Sequence, residues 1–161
     1  MTKKTTYNKA LSYAHRLFNY RPRSKKELKE RLLQRGYNTA IVNRVTALFK
    51  QQGLIDDKNF AKLWASSRMQ AKPSSLTSIK QQLFIKGIDS QIIDDTLEQL
   101  REDFDEYEVA KNLAEKRIRL YAGVGKLKKK KRLFDYLRRR GFSFDVIYKV
   151  LDGIIIEAKP Q

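Results

Sequence analysis

LKERLLQRGYNTAIVNRV (residues 28–45), IKQQLFIKGIDSQIIDDT (residues 79–96) and LFDYLRRRGFSFDVIYKV (residues 133–150) align without a gap on Gly36, Gly87 and Gly141. The copies lie 51 and 54 residues apart, so the chain carries an internal repeat, which decides the fold before any single element is read. Eight residues before each glycine stand Leu28, Ile79 and Leu133, and four before stand Leu32, Leu83 and Leu137. That is the i, i+4 stripe of an amphipathic helix. Each glycine therefore ends a helix, where the left-handed conformation is open cheaply to Gly, and Arg35, Lys86 and Arg140 just before it suit the negative end of the helix dipole. Two residues beyond come Asn38, Asp89 and Ser143, side chains that cap the free N–H groups of a second helix. That helix buries Ile41, Val42 and Val45 in the first copy, Ile92, Ile93 and Leu97 in the second, and Val146, Ile147, Val150 and Leu151 in the third.

A third helix is expected in the first two copies. After Gly53, LIDDKNFAKLWASSRMQ offers a cap at Asp56 or Asp57 and an apolar face of Phe60, Ala61, Leu63 and Trp64, with Phe60 and Trp64 assigned to the core. DEYEVAKNLAEKRI repeats the pattern at the end of the second copy, with Asp105 and Glu108 at capping-box spacing, which leaves the third copy two helices. Ahead of the first copy, Ala10, Leu11, Ala14, Leu17 and Phe18 define an N-terminal helix, closed by the sequence Arg21 to Ser24 before Ser24 and Glu27 form another capping box. No segment shows sustained period-2 alternation, so the reading is all-α with no sheet. Pro73 with Ser74 and Ser75, and the glycines around residue 124, mark joints between units spanning 1–72, 73–122 and 123–161.

Charge narrows the function. The 161 residues hold 35 Lys and Arg against 18 Asp and Glu, a formal net charge of +17, while 41% of residues are hydrophobic. A folded, strongly basic protein implies a polyanionic partner, since clustered cations attract phosphate backbones or anionic lipid head groups. Eleven basic side chains fall in residues 1–35 and eleven in residues 117–140, whereas residues 89–108 carry nine carboxylates against Arg101 alone. The acidic stretch reads as a solvated helix face. Cysteine is absent, which excludes disulfides and thiolate metal sites. No window reaches the roughly 18 apolar residues of a membrane span, and the start lacks the apolar run of a signal peptide. A cytoplasmic protein without a membrane role is the expectation.

SKKEL (24–28), the L-x-x-R/K-G helix ends, GLIDDKNFAKLWASSR (53–68) and YLRRRGFSFDVI (136–147) together resemble the RecX family of bacterial recombinase regulators over nearly the whole chain. The resemblance implies an elongated tandem array of three three-helix repeats that binds RecA nucleoprotein filaments. It also implies a regulator in DNA repair, homologous recombination and the SOS response that inhibits RecA ATPase and strand exchange, with no chemistry or cofactor of its own.

The residues themselves offer little to an enzyme. His15, the single histidine, has no nucleophile or carboxylate cluster at motif spacing. Asp56 and Asp57 stand adjacent at a helix start, where caps explain them better than a metal pair. Residues 123–126, GVGK, lack the first glycine and the final Ser or Thr of a phosphate loop. No metal site and no catalytic residue is expected.

Binding is the stronger reading, and two basic segments are its candidate sites. One runs through Arg16, Arg21, Arg23, Lys25, Lys26, Arg31 and Arg35; the other holds Lys126, Lys128, Lys129, Lys130, Lys131, Arg132, Arg138, Arg139 and Arg140. Lys128 to Arg132 open a helix, where positive charge opposes the dipole and points to a use outside local stability. Tyr13, Tyr20 and Tyr37 lie near the first segment and offer rings for base stacking. No motif for reading base sequence is present. The expected partners are the RecA filament and single- and double-stranded DNA, contacted by a monomer. The alternative is a non-specific DNA-binding helical protein that acts without a recombinase.

Overall fold

The computed structural model describes the backbone of residues 3–102 and 104–157 and the side chains of residues 5–102 and 104–154. Asp103 of the acidic stretch and the AKPQ end of the chain lie outside the described residues. Helices α1 (Lys3–Tyr20), α2 (Lys25–Gln34), α3 (Thr39–Gln51), α4 (Asp57–Ala71) and α5 (Leu76–Ile85) are followed by α6 (Ser90–Arg101), α7 (Glu106–Ile118), α8 (Lys126–Arg139) and α9 (Phe144–Glu157). A single 3₁₀ turn, Arg119–Tyr121, follows α7, and no strand occurs among the described residues. None of these helices is long and apolar enough to cross a membrane.

The repeat appears in the backbone as the alignment requires. Gly36, Gly87 and Gly141 have φ of 88°, 75° and 87°. Behind each, the same pair of hydrogen bonds closes the helix: Gly36 N–H to Leu33 O and Tyr37 N–H to Leu32 O, Gly87 to Phe84 and Ile88 to Leu83, Gly141 to Arg138 and Phe142 to Leu137. This is the Schellman pattern, which satisfies carbonyls that the helix leaves unpaired. The caps beyond are in place, with Asn38 Oδ1 accepting from Ile41 N–H at 2.9 Å, Asp89 Oδ1 from Gln91 N–H at 2.9 Å and Ser143 Oγ from Val146 N–H at 3.4 Å.

The chain packs as two compact units, one of Met1–Trp64 with Leu83–Thr96 and one of Ala65–Gln82 with Leu97–Gln161. In the first unit, Ala10 and Ala14 of α1, Leu28 and Leu32 of α2 and Val42, Val45 and Phe49 of α3 close one core. In the second, Ala110 and Ala114 of α7 join Leu133 and Leu137 of α8 and Ile147, Val150 and Leu151 of α9. Each fully buried Leu of these stripes contributes about 1.5–3 kcal/mol. Helix α7, assigned from the sequence to the end of the second copy, thus packs with the third: Ala110 and Ala114 are small enough to bring α8 and α9 close, a preference that periodicity does not reveal.

Within the first unit the α2 N-terminus meets the α5 C-terminus. Ser24 Oγ caps α2 by accepting from Glu27 N–H at 3.1 Å and donates its own proton to Lys86 O at 2.7 Å. Within the second unit the relation recurs, with Ser75 capping α5 through Ser78 N–H at 3.0 Å while its own N–H donates to Arg140 O at 3.1 Å. Each joint sets a positive helix start against a negative helix end. A Cβ on Gly87 would stand 2.5 Å from Lys26 Cβ, and one on Gly141 would stand 2.6 Å from Ser75 Oγ, whereas a Cβ on Gly36 would meet nothing within 4 Å. Gly87 and Gly141 are therefore needed twice, for their φ and for the approach of the next helix.

Of the two caps expected for α4, Asp56 takes the role, accepting from Asn59 N–H at 2.9 Å, while Asp57 accepts from Lys25 N–H at 2.8 Å. The expected apolar face of α4 is corrected. Leu63 is 52% exposed rather than buried, and Trp64 is half-buried with Lys86 Nζ 5.2 Å from its ring, because the face of α4 that packs inward runs through Phe60, Ala61 and Ala65 instead.

Candidate nucleic-acid interface

The two predicted basic segments differ in how much of their charge remains available. In the first, Arg23 is buried, its Nε donating to Leu17 O at 3.2 Å, and burial above all, with Arg21 beside it, lowers its pKa. It ties α1 to the start of α2. Arg21 pairs with Glu27 at 2.9 Å and Lys26 Nζ donates to Ile85 O at 2.9 Å. Arg16 and Arg35 lie 5.9 and 5.5 Å from the Tyr13 ring, so Tyr13 already packs against guanidinium groups. The side chains of Arg16, Lys25, Arg31 and Arg35 remain exposed.

Glu27 does not close the capping box predicted for it. Its carboxylate instead bridges Arg21 and Lys86, the latter at 2.8 Å. Burial opposes its charge, yet the hydrogen bonds from Arg21 and Lys86 outweigh that cost and hold the carboxyl below the usual Glu range. Around it, Arg21, Arg23, Arg31, Glu30 and Gln34 line a small cleft of about 200 Å³.

Helix α8 carries the second segment. Its N-cap is Gly125, with no side-chain cap hydrogen bond and no acidic residue in the first turn. Lys126, Lys128, Lys131 and Arg132 are exposed, Lys129 and Lys130 half-buried, and Lys130 Nζ reaches Asp152 at 3.5 Å. Arg132 lies 5.5 Å from the Tyr121 ring and Arg138 5.7 Å from that of Phe144.

The C-terminal end of α8 forms a site that the sequence reading did not assemble. Arg139 and Arg140 line a cleft of about 500 Å³ with Arg68, Lys72 and Arg117, and no carboxylate is among its described lining residues. Three of its four guanidinium groups are fixed by neutral oxygens: Arg68 Nε donates to Gln82 Oε1 at 3.1 Å, Arg117 Nε to the Tyr121 hydroxyl at 3.2 Å, and Arg140 to Pro73 O. Tyr136 lies 5.1 Å from the Arg117 guanidinium and 5.2 Å from that of Arg140. Ser74 lines the same cleft, and its buried hydroxyl has no hydrogen-bond partner among the described residues. Arg68, Lys72, Ser74 and Arg117 were missed because they gather from two helices and a joint. The alignment of residues 72–75, KPSS, with residues 21–24, RPRS, is the signal that could have found them.

His15 is exposed, its ring tilted by 46° against Phe49 with the centroids 4.8 Å apart, and among the described residues no group of three or more metal-ligating side chains is gathered.

Comparison with known proteins follows the same three-part division. The models of the first, second and third three-helix domains of RecX match residues 10–47, 56–97 and 105–151, the last beginning just before α7. The chain is 35% identical over 150 residues to the regulatory protein RecX of Chlorobium phaeobacteroides (strain BS1), covering 93% of this chain and 96% of that one. It is 33% identical over 152 residues to that of Mycobacterium sp. (strain JLS), covering 92% and 81%. A crystal structure of regulatory protein RecX superposes with a TM-score of 0.77 at 26% identity, over 91% of this chain and 72% of that one. The fold is likewise that of RecX from Lactobacillus salivarius, at a TM-score of 0.75 over 95% and 99% of the two chains.

Proposed function

The chain belongs to the RecX family of regulatory proteins, and on that footing we propose that it binds RecA filaments on DNA and inhibits RecA ATPase and strand exchange, without bond-making chemistry of its own. The observation that carries the proposal is the exposed cationic start of α8, which local stability does not call for. A helix that begins Lys126 to Arg132 opposes its own dipole, so its charge is available to phosphates or to acidic filament surface. The protein acts in this reading as a cytoplasmic monomer on RecA bound to single- or double-stranded DNA. The acidic surface of α6, with Asp94, Asp95 and Glu98, suits basic residues of the filament.

Co-sedimentation with RecA on single-stranded DNA, beside the same DNA bare, tests the proposal. Retention on RecA-coated DNA well above retention on bare DNA is expected. Equal retention on both would support the alternative of a non-specific DNA-binding protein without a recombinase partner.

A further inference from the structure

The two clefts beside the α1–α2 and α4–α5 joints occupy equivalent positions of the repeat, and their residues differ in one decisive respect. By the alignment, Arg21, Arg23, Glu27 and Arg31 of the first copy correspond to Lys72, Ser74, Ser78 and Gln82 of the second, and Lys86 corresponds to Arg140 of the third. In the first unit the Glu27 carboxylate bridges Arg21 and Lys86. In the second unit the corresponding cations, Lys72 and Arg140, line a cleft in which Ser78 takes the carboxylate's place and Arg68, Arg117 and Arg139 add three more positive charges. Where the first copy fills its cleft with the buried Arg23 side chain, the second has Ser74, leaving a larger volume and a buried hydroxyl without a hydrogen-bond partner among the described residues.

We infer that the second-unit cleft is a phosphate-binding site, in which one phosphate group of a nucleic-acid backbone stands where the Glu27 carboxylate stands in the first unit. The chemistry matches a tetrahedral oxyanion. Guanidinium groups pre-oriented by neutral acceptors keep N–H donors and full charge for the ligand, and charge-assisted hydrogen bonds of this kind are the strong ones. A cluster of five cations without an internal carboxylate is otherwise self-repelling, which an incoming anion relieves. The inference adds a defined anchoring point to the proposed DNA contact and stands apart from the α8 N-terminal face.

Ser78→Glu, with Ser78→Gln as the neutral control of similar size, tests it. Two readouts are taken on the full chain: affinity for a fluorescent oligothymidylate, and the Arg side-chain Nε–Hε resonances during titration with inorganic phosphate. Ser78→Glu is expected to restore the internal bridge, weaken oligonucleotide binding about tenfold and abolish the phosphate-induced shifts, while Ser78→Gln stays within about twofold of wild type. Phosphate shifts in wild type with oligonucleotide affinity unchanged in Ser78→Glu would assign the cleft to a free phosphate and overturn the nucleic-acid source. Absence of phosphate shifts in wild type, or equal losses in both variants, would overturn the site. Failure of wild type to bind the oligonucleotide at all would count against the DNA contact of the proposed function, and the phosphate titration would still decide the cleft.

Discussion

Ser24 and Lys86, 62 positions apart in the chain, are joined by a 2.7 Å hydrogen bond from the Ser24 hydroxyl to the Lys86 carbonyl oxygen. The bond makes one serine the cap of α2 and the clasp on the end of α5. Ser75 and Arg140 repeat the relation one copy later through the Ser75 N–H. The repeat is therefore a repeat of joints as well as of helices.

Glycine replacements separate the two demands made at these joints. Gly36→Ala meets open space and carries the left-handed backbone alone, about 1–2 kcal/mol. Gly141→Ala carries the same strain and forces Ser75 Oγ and Ser78 Cβ away from 2.6 and 2.9 Å, about 1–3 kcal/mol more. Urea unfolding midpoints are expected to fall further for Gly141→Ala than for Gly36→Ala. Equal losses would show that helix approach adds nothing.

Glu27 contributes a pH-dependent share of stability. Its carboxyl titrates below the ordinary range, so its stabilisation is full above the unfolded-state pKa and is lost as pH falls through the lower folded-state value. Glu27→Gln leaves Arg21 and Lys86 without their carboxylate and is expected to cost about 1–3 kcal/mol at pH 7. The gap between wild type and Glu27→Gln in thermal unfolding should narrow steadily as pH is lowered from 5 towards 3. A gap independent of pH would remove the bridge from the account.

The cationic start of α8 is read through salt. Changing Lys128, Lys129, Lys130, Lys131 and Arg132 to Gln is expected to weaken DNA binding and to reduce the log–log salt slope by about 0.7–0.9 for each phosphate no longer neutralised. An unchanged slope and affinity would make the run a solvated face.

Core truncation tests the repeat stripe. Leu137→Ala, at a site with no exposed surface, is expected to cost about 2–5 kcal/mol in urea unfolding. Tyr20→Ala, at an 84% exposed ring, should cost well under 1 kcal/mol.

Helices, caps and terminal glycines were legible in the chain because each depends on residues within a turn or two. Asn38, Asp89 and Asp105 cap their helices as their spacing requires. What depends on distant partners was not legible. Glu27 stands at capping-box spacing yet turns to Arg21 and to Lys86, 59 residues away. Arg23 looks like one more surface cation and is buried, with Leu17 O accepting from its Nε. The large cleft drew Arg139 and Arg140 from a recognised basic run, but Arg68 and Lys72 from a stretch that reads as an ordinary helix end.

The central claim is action on the RecA filament, and ATP hydrolysis by filaments assembled beforehand tests it most directly. RecA is supplied in excess over single-stranded DNA sites, so that no bare strand remains when this protein is added. Hydrolysis is expected to fall, at amounts well below one per RecA monomer if filament ends are blocked and near one per monomer if the filament groove is lined. Inhibition that vanishes once the DNA is fully coated would contradict the account and leave competition for bare DNA in its place.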